Sequence, residues 1–152
     1  MSILLIVVFV GCLIYHTYTD LKEMLLYDWV NAILAVSGIG YAYLETSLLD
    51  AAYGFVVGLV IMLGIYLISR GGLGEGDVKL TPCLGLWLGF ENTLVALLLS
   101  FVIGAIIGLA YMRLRNKKMN FAIPFGPFLC LGALISFFYG NELLNLYWNY
   151  II

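Results

Sequence analysis

Long apolar stretches separated by short polar breaks run through the whole sequence. A sliding hydropathy window divides the chain into six segments. They are Ser2 to Thr19, Trp29 to Leu44, Leu48 to Ser69, Val78 to Phe90, Thr93 to Met112 and Phe121 to Tyr139. A chain in lipid must satisfy its backbone polar groups internally, and these segments are too long and too uniformly apolar for barrel strands. We therefore predict an all-α, polytopic membrane protein: one membrane-embedded domain over residues 1–152, built as a bundle of six transmembrane helices.

The composition agrees with a membrane chain, because 64% of the residues are hydrophobic and only 11% are charged. Each crossing needs about 20 residues, so little is left for loops or for a soluble domain. The net charge of -2 is too small to indicate nucleic acid as a partner, so membrane lipid is the expected surrounding. The three cysteines, Cys12, Cys83 and Cys130, lie far apart in apolar stretches and include no CxxC pair. We interpret them as buried apolar residues rather than as a disulfide framework or a zinc site.

The basic residues predict the orientation of the helices. If all six segments cross, every Lys and Arg falls on one side: Lys22, Arg70, Lys79, Arg113, Arg115, Lys117 and Lys118. The short fourth segment could be re-entrant, but Arg113 to Lys118 would then move to the opposite face. Lys and Arg favour cytoplasmic loops, so we keep six crossings. We expect a multi-pass protein of the inner (plasma) membrane, with these loops in the cytoplasm and both termini outside.

Two aspartates lie at the predicted cytoplasmic boundary. Asp20 closes the first helix and Asp77 opens the fourth. An ionisable group at this depth is costly unless it is solvated or paired, so it is often functional. Either residue could instead end or cap a helix, and Asp77 fits an N-cap. Four of the six residues 71–76 are glycine, which suits a catalytic loop as well as an ordinary tight turn.

Several motifs resemble those of one family, the type IV prepilin peptidases, which are intramembrane aspartyl proteases with a GxGD motif. Gly74-Glu75-Gly76-Asp77 matches GxGD, and Val78-Lys79-Leu80 continues as the family does. Two later stretches are also similar to the family, namely Leu84 to Gly89 and the Pro-Phe-Gly-Pro run within Ile123 to Phe128. Asp20 has the place of the family's first aspartate. In the stretch Leu26 to Trp29, Tyr27 replaces the usual proline.

The resemblance implies an aspartic endopeptidase, a prepilin leader peptidase. Asp20 and Asp77 would be catalytic, and Gly74, Glu75 and Gly76 would form the catalytic loop. The implied substrates are type IV prepilins or pseudopilins, whose short basic leader is removed after a glycine at the cytoplasmic face. The chain resembles a short form without the cysteine-rich cytoplasmic insert of long members, so N-methyltransferase activity stays open.

Two nearby carboxylates do not easily both ionise, so the pair shares one proton. One carboxylate can then activate a water and the other can polarise the scissile carbonyl, which requires no metal or cofactor for proteolysis. Because Asp20 and Asp77 are far apart in sequence, this chemistry requires the first and fourth helices to be neighbours.

The other polar residues near these loops allow two interpretations each. Glu23 and Glu75 could contact the basic leader or be solvated charges. Lys79 could favour the ionised form of Asp77 or anchor its helix at the interface. The Tyr27-Asp28 pair resembles that of presenilin-like GxGD proteases, which would make Asp28 the catalytic partner. The Pro-Ala-Leu signature of those proteases is absent and Asp28 is well placed to cap the second helix, so we interpret it as a cap.

His16, four residues before Asp20, could touch it on one helix face, although a lone histidine is more often structural.

Two other functions compete with the protease. A small proton- or ion-coupled transporter would use intramembrane carboxylates and helix-breaking glycines, but it prefers charges near the bilayer midplane, where the segments carry none. A non-catalytic subunit of a secretion or pilus machine would use both aspartates as helix caps only. Replacing Asp77 by Asn keeps a cap and removes acid chemistry, so this variant separates the protease from the subunit.

Overall fold

The computed structural model describes residues 2–70, 72–115 and 124–151, and over these ranges every regular element is a helix. The elements are α1 (Ser2–Glu23), α2 (Asp28–Glu45), α3 (Leu48–Ser69), α4 (Glu75–Arg115) and α5 (Gly126–Ile151). Stretches in α1, α3, α4 and α5 are long and apolar enough to cross a membrane. The all-α fold is therefore confirmed, as is a chain with several membrane-capable helices. Lys117 and Lys118 of the basic run lie outside the described residues.

Several helix boundaries differ from the predicted segments, and three of the differences change the architecture. Over residues 2–70, 72–115 and 124–151 the structure has five helical elements where six segments were predicted, because the fourth and fifth segments lie in one 41-residue element, α4. The predicted sixth segment began at Phe121, outside the described residues, whereas α5 begins at Gly126. Proline is tolerated in the first turn of a helix, which allows Pro127 directly after this start. Helix α5 also continues to Ile151, beyond the predicted end of the sixth segment at Tyr139.

Helix α4 is interrupted at Gly89, whose φ of 73° and ψ of -175° are not helical. This region of backbone space is essentially restricted to glycine. We call residues 75–88 the first arm of α4 and residues 90–115 the second arm. The second arm begins under a carboxylate from another helix, since Asp50 of α3 accepts a 3.1 Å hydrogen bond from the amide of Phe90. An acceptor at this position serves one of the free amides of a helix start.

The two arms pack against different helices. Gly58 of α3 lies against Thr81, and Gly54 lies against Gly85 and Gly89, so the first arm runs antiparallel to α3. A Cβ atom at Gly54 would lie only 2.3 Å from the carbonyl oxygen of Gly85. Glycines four residues apart on both helices therefore allow their backbones to touch, as is typical of membrane helix pairs.

The second arm of α4 runs antiparallel to α5. Near its beginning, Asn92 lies against Gly140, and near its middle Ser100 lies against Gly132. Further along, Phe101 stacks on Phe125 with ring centroids 5.1 Å apart.

An aromatic cluster joins α1, α2, the first arm of α4 and α5. The ring of Trp87 stacks on Phe9 at 4.6 Å and on Tyr41 at 4.9 Å, and Phe137 lies 5.1 Å from Phe9. The indole of Trp87 donates a 2.9 Å hydrogen bond to the carbonyl oxygen of Leu34, which satisfies its polar atom inside the core. As predicted, α1 and α4 are neighbours. They contact each other through side chains such as Phe9 and Trp87, and α2 and α5 pack on both of them.

This cluster fixes the level of the two aspartates. At about 1.5 Å per helical residue, Asp20 lies about 16 Å along α1 from Phe9, and Asp77 lies about 15 Å along α4 from Trp87. Because Phe9 and Trp87 are stacked and both intervals run toward the same end of the bundle, the two carboxylates reach nearly the same depth.

Candidate active site

One cavity of about 430 Å³ lies between the α1–α2 loop and the start of α4. It is lined by Asp20, Met24, Leu25, Leu26, Tyr27, Asp28, Gly74, Glu75, Gly76, Asp77 and Lys79. Every residue that the sequence placed in the site lines this cavity except Glu23, which lies at its edge. The structure therefore brings together Asp20 and Asp77 with the glycine-rich loop.

Asp20 lies in the last turn of α1 and is only 6% exposed. One of its carboxylate oxygens, Oδ2, accepts a 2.9 Å hydrogen bond from the amide of Gly126, the first residue of α5. The positive end of the α5 dipole therefore faces this carboxylate. A Cβ at residue 126 would lie 2.6 Å from Asp20 Oδ2, so only glycine fits without a shift. Gly126 was not predicted as a site residue, although the Pro-Phe-Gly-Pro run that contains it was recognised.

Asp77 lies in the first turn of α4 and is 5% exposed. The helix already begins at Glu75, so Asp77 does not have the N-cap position that the sequence left open as an alternative; its own amide donates to the carbonyl oxygen of Gly74 at 3.2 Å. A Cβ at Gly74 would lie 3.1 Å from Asp77 Oδ2, so the glycine leaves room for the carboxylate. The other carboxylate oxygen of Asp77, Oδ1, is buried and has no hydrogen bond to any described protein atom. Buried polar atoms are normally paired, so this oxygen keeps an acceptor position that no described protein donor occupies.

Asp20 and Asp77 line the same cavity, and both side chains are almost completely buried. Removal from water disfavours a charge on either group, and mutual repulsion disfavours charges on both together. Carboxyl groups that interact in this way titrate as a pair, which favours one proton shared between them. Such an arrangement can act as a base and an acid at once.

Lys79 and Asp28 form an ion pair at the rim of the cavity. The ammonium of Lys79 lies 2.9 Å and 3.1 Å from the two carboxylate oxygens of Asp28. Lys79 therefore pairs with Asp28 and not with Asp77. The interpretation of Asp28 as a helix cap is also wrong, because Tyr27 occupies the N-cap position of α2 and Asp28 is the first helical residue. Both side chains are more than half exposed, so this pair contributes little stability.

Two glutamates at the rim are each held by a tyrosine. Glu23 accepts a 2.8 Å hydrogen bond from the hydroxyl of Tyr27, and Glu75 accepts one of 3.1 Å from the hydroxyl of Tyr66. The hydrogen bond and the negative charge of Glu23 raise the pKa of the Tyr27 phenol. The residue that replaces the usual proline thus orients an acidic side chain beside the cavity.

His16 is completely buried one turn below Asp20. Its imidazole faces the carboxamide of Asn31 on α2, and neither side chain makes a hydrogen bond of normal geometry to another described protein atom. The prediction that Cys12, Cys83 and Cys130 are buried is confirmed. Within residues 2–70, 72–115 and 124–151, no three His, Cys, Asp or Glu side chains are grouped so that they could hold a metal ion.

Comparison with known proteins identifies the family of this chain. The model of the Type IV leader peptidase family matches residues 7–109. A Prepilin leader peptidase/N-methyltransferase of Legionella pneumophila is 35% identical over 146 residues, which cover 91% of this chain and 50% of that protein. Proteins with the same name from Aeromonas hydrophila and Pseudomonas aeruginosa are 35% and 33% identical, covering 86% and 78% of this chain and 48% and 41% of their own lengths. No solved structure matches. The chain spans about half the length of the curated relatives it matches, and it belongs to the type IV leader peptidase family.

Proposed function

We propose that this chain is an intramembrane aspartyl endopeptidase that removes the short leader of type IV prepilins or pseudopilins. The observation that carries the proposal is the burial of Asp20 and Asp77, from distant parts of the sequence, in one cavity. The names of the aligned relatives supply the substrate class. We restrict the proposal to proteolysis, because the chain spans about half of the relatives that are also named as methyltransferases.

The environments of the two carboxyl groups suggest their roles. The amide of Gly126 stabilises a carboxylate at Asp20, so we assign Asp20 as the base that removes a proton from the attacking water. Asp77 carries the shared proton, and its unpartnered oxygen faces the scissile carbonyl as the acid. The water oxygen bonds to the carbonyl carbon, and the C–N bond breaks as the amine receives a proton. This sequence of steps requires neither a metal nor an organic cofactor.

We also propose six membrane crossings, with the cavity facing the cytoplasm in the inner membrane and both termini outside. The antiparallel packing of the second arm on α5 supports this count, because Phe101 stacks on Phe125, next to the residue that binds Asp20. The second arm therefore returns to the level of Asp20 after the interruption at Gly89. Lys22 and Arg70 also lie at this end, which agrees with the cytoplasmic preference of basic residues.

The proposal is tested with the purified full chain in liposomes and prepilin-like proteins from the same genome. Mass spectrometry of the products reports the cleavage position, and Asp77→Asn serves as the matched inactive variant. Cleavage by the wild type at a single leader junction, unaffected by EDTA, is the expected result. Absence of cleavage for every substrate would contradict the proposal. Loss with EDTA and recovery with zinc would instead make the aspartates metal ligands.

A further inference from the structure

Leu26 lies between the two backbone segments that hold the aspartates. A Cβ at Gly76 would lie 3.0 Å from the Cβ of Leu26, and one at Gly126 would lie 3.3 Å from its Cδ2. Gly76 precedes Asp77 in the chain, and Gly126 donates the hydrogen bond to Asp20. The leucine side chain thus lines the cavity and lies against both backbone segments.

Backbone hydrogen bonds hold both ends of the loop that carries Leu26. Met24 adopts a left-handed φ of 53°, and its amide donates to the carbonyl oxygen of Asp20 at 3.0 Å. At the other end, the carbonyl oxygen of Tyr27 accepts the amides of Val30 and Asn31. Leu26 is half-buried against the core, whereas Met24 is 54% exposed. The side chain of Leu26 therefore points inward and is held between Gly76 and Gly126.

We infer that Leu26 is a specificity-determining residue that limits the size of the substrate residue contributing the scissile carbonyl. The inference rests on the proposed protease function, which requires that carbonyl to lie between the carboxyl groups of Asp20 and Asp77. The side chain next to the carbonyl must then lie against whatever fills the space between Gly76 and Gly126. Leu26 fills it, so a small side chain fits there and a branched one meets the leucine methyl groups.

The test compares Leu26→Ala with the wild-type chain in liposomes. The substrates are one prepilin in which the residue contributing the scissile carbonyl is Gly, Ala or Val. Each added methyl group changes discrimination in a tight pocket by about tenfold or more. We expect Leu26→Ala to raise the kcat/KM ratio of Ala to Gly, and of Val to Gly, by about tenfold. Leu67→Ala is the matched control, because Leu67 is a 66% exposed leucine that does not line the cavity; its ratios should equal the wild-type ratios.

Unchanged ratios in Leu26→Ala, with cleavage of the glycine substrate retained, would overturn the inference and leave the protease function intact. Failure of the wild type to cleave any of the three substrates would contradict the protease function itself. If Leu26→Ala were inactive or unfolded, Leu26→Val would decide, because it removes one methylene and should shift the ratios in the same direction by a smaller factor. Ratios in Leu26→Val equal to those of the wild type would then overturn the inference.

Discussion

The amide of Gly126 donates a 2.9 Å hydrogen bond to the carboxylate of Asp20, which lies 106 residues earlier in the chain. This bond joins the last turn of α1 to the first residue of α5. It gives Asp20 a fixed orientation and a donor that Asp77 Oδ1 lacks. The start of α5 is therefore part of the candidate site, alongside the GxGD motif and the first helix.

Gly126→Ala should reduce cleavage by about 100-fold, because small misplacements of a reacting group have effects of this size. The added Cβ would lie 2.6 Å from Asp20 Oδ2 and would push the carboxylate out of position. Leader release measured over time in liposomes reports the effect, with circular dichroism as the check that the fold is retained. Full activity in this variant would show that the hydrogen bond has no role in the reaction.

Asp20→Asn and Asp77→Asn should each reduce cleavage by about 100-fold or more, since each removes one partner of the acid–base pair. Asp28→Asn should retain substantial activity, because Asp28 pairs with Lys79 at the exposed rim. The three purified variants are compared on one prepilin in the same liposomes. Normal cleavage by Asp20→Asn together with loss in Asp28→Asn would reassign the catalytic partner to Asp28.

Cleavage should fall at both acidic and alkaline pH. In acid both carboxyl groups are protonated and no base remains, whereas in alkali both are ionised and no acid remains. The pH profile of kcat/KM should therefore be bell-shaped, with a maximum between the acidic and alkaline limbs. A rate that rises continuously with pH would indicate that only a base is needed, which contradicts a shared proton.

Gly54→Ala should lower the free energy of unfolding by about 1–3 kcal/mol, the usual cost of overpacking. The new Cβ would lie 2.3 Å from the carbonyl oxygen of Gly85 and would separate α3 from α4. Gly64→Ala is the matched control on the same helix, because a Cβ there meets nothing within 4 Å. Alanine is the better helix former by about 0.5–1 kcal/mol, so the control should be as stable as the wild type or more stable. Thermal unfolding in detergent distinguishes the two, and equal losses would contradict close contact.

A cysteine at position 46 should react with an impermeant thiol reagent added outside intact cells, and one at position 116 should not. Thr46 lies exposed between α2 and α3, at the end opposite the cavity. Asn116 lies in the basic break, outside the described residues. The native cysteines are buried and should contribute little background. Labelling of position 116 from outside would overturn the proposed orientation.

Hydropathy and motif spacing were enough to predict the helices, because lipid leaves few alternatives to long apolar helical segments. The bounds of α3 agree fully, and those of α2 differ by one residue at each end. The shared depth of Asp20 and Asp77 also followed from the segment order. These features depend on local sequence and on the thickness of the membrane.

Contacts between distant residues could not be predicted in this way. The partner of Lys79 depends on the position of Asp28 across the cavity, whereas the sequence suggested either Asp77 or the membrane interface. The role of Gly126 depends on how α5 meets α1, which hydropathy does not report. The start of α4 at Glu75 moved Asp77 from the cap into the first turn, a three-residue shift that is usual for helix boundaries predicted from sequence.

The hydrogen bond from Phe90 to Asp50 also bears on the order in which the chain can assemble. A helix whose first amide is satisfied by another helix cannot be completed until that helix is present. Asp50 precedes Gly89 in the chain, so α3 is synthesised first and already offers its carboxylate when Phe90 follows. The interruption at Gly89 can therefore form during synthesis, without waiting for α5, and the second arm then provides the surface on which α5 packs.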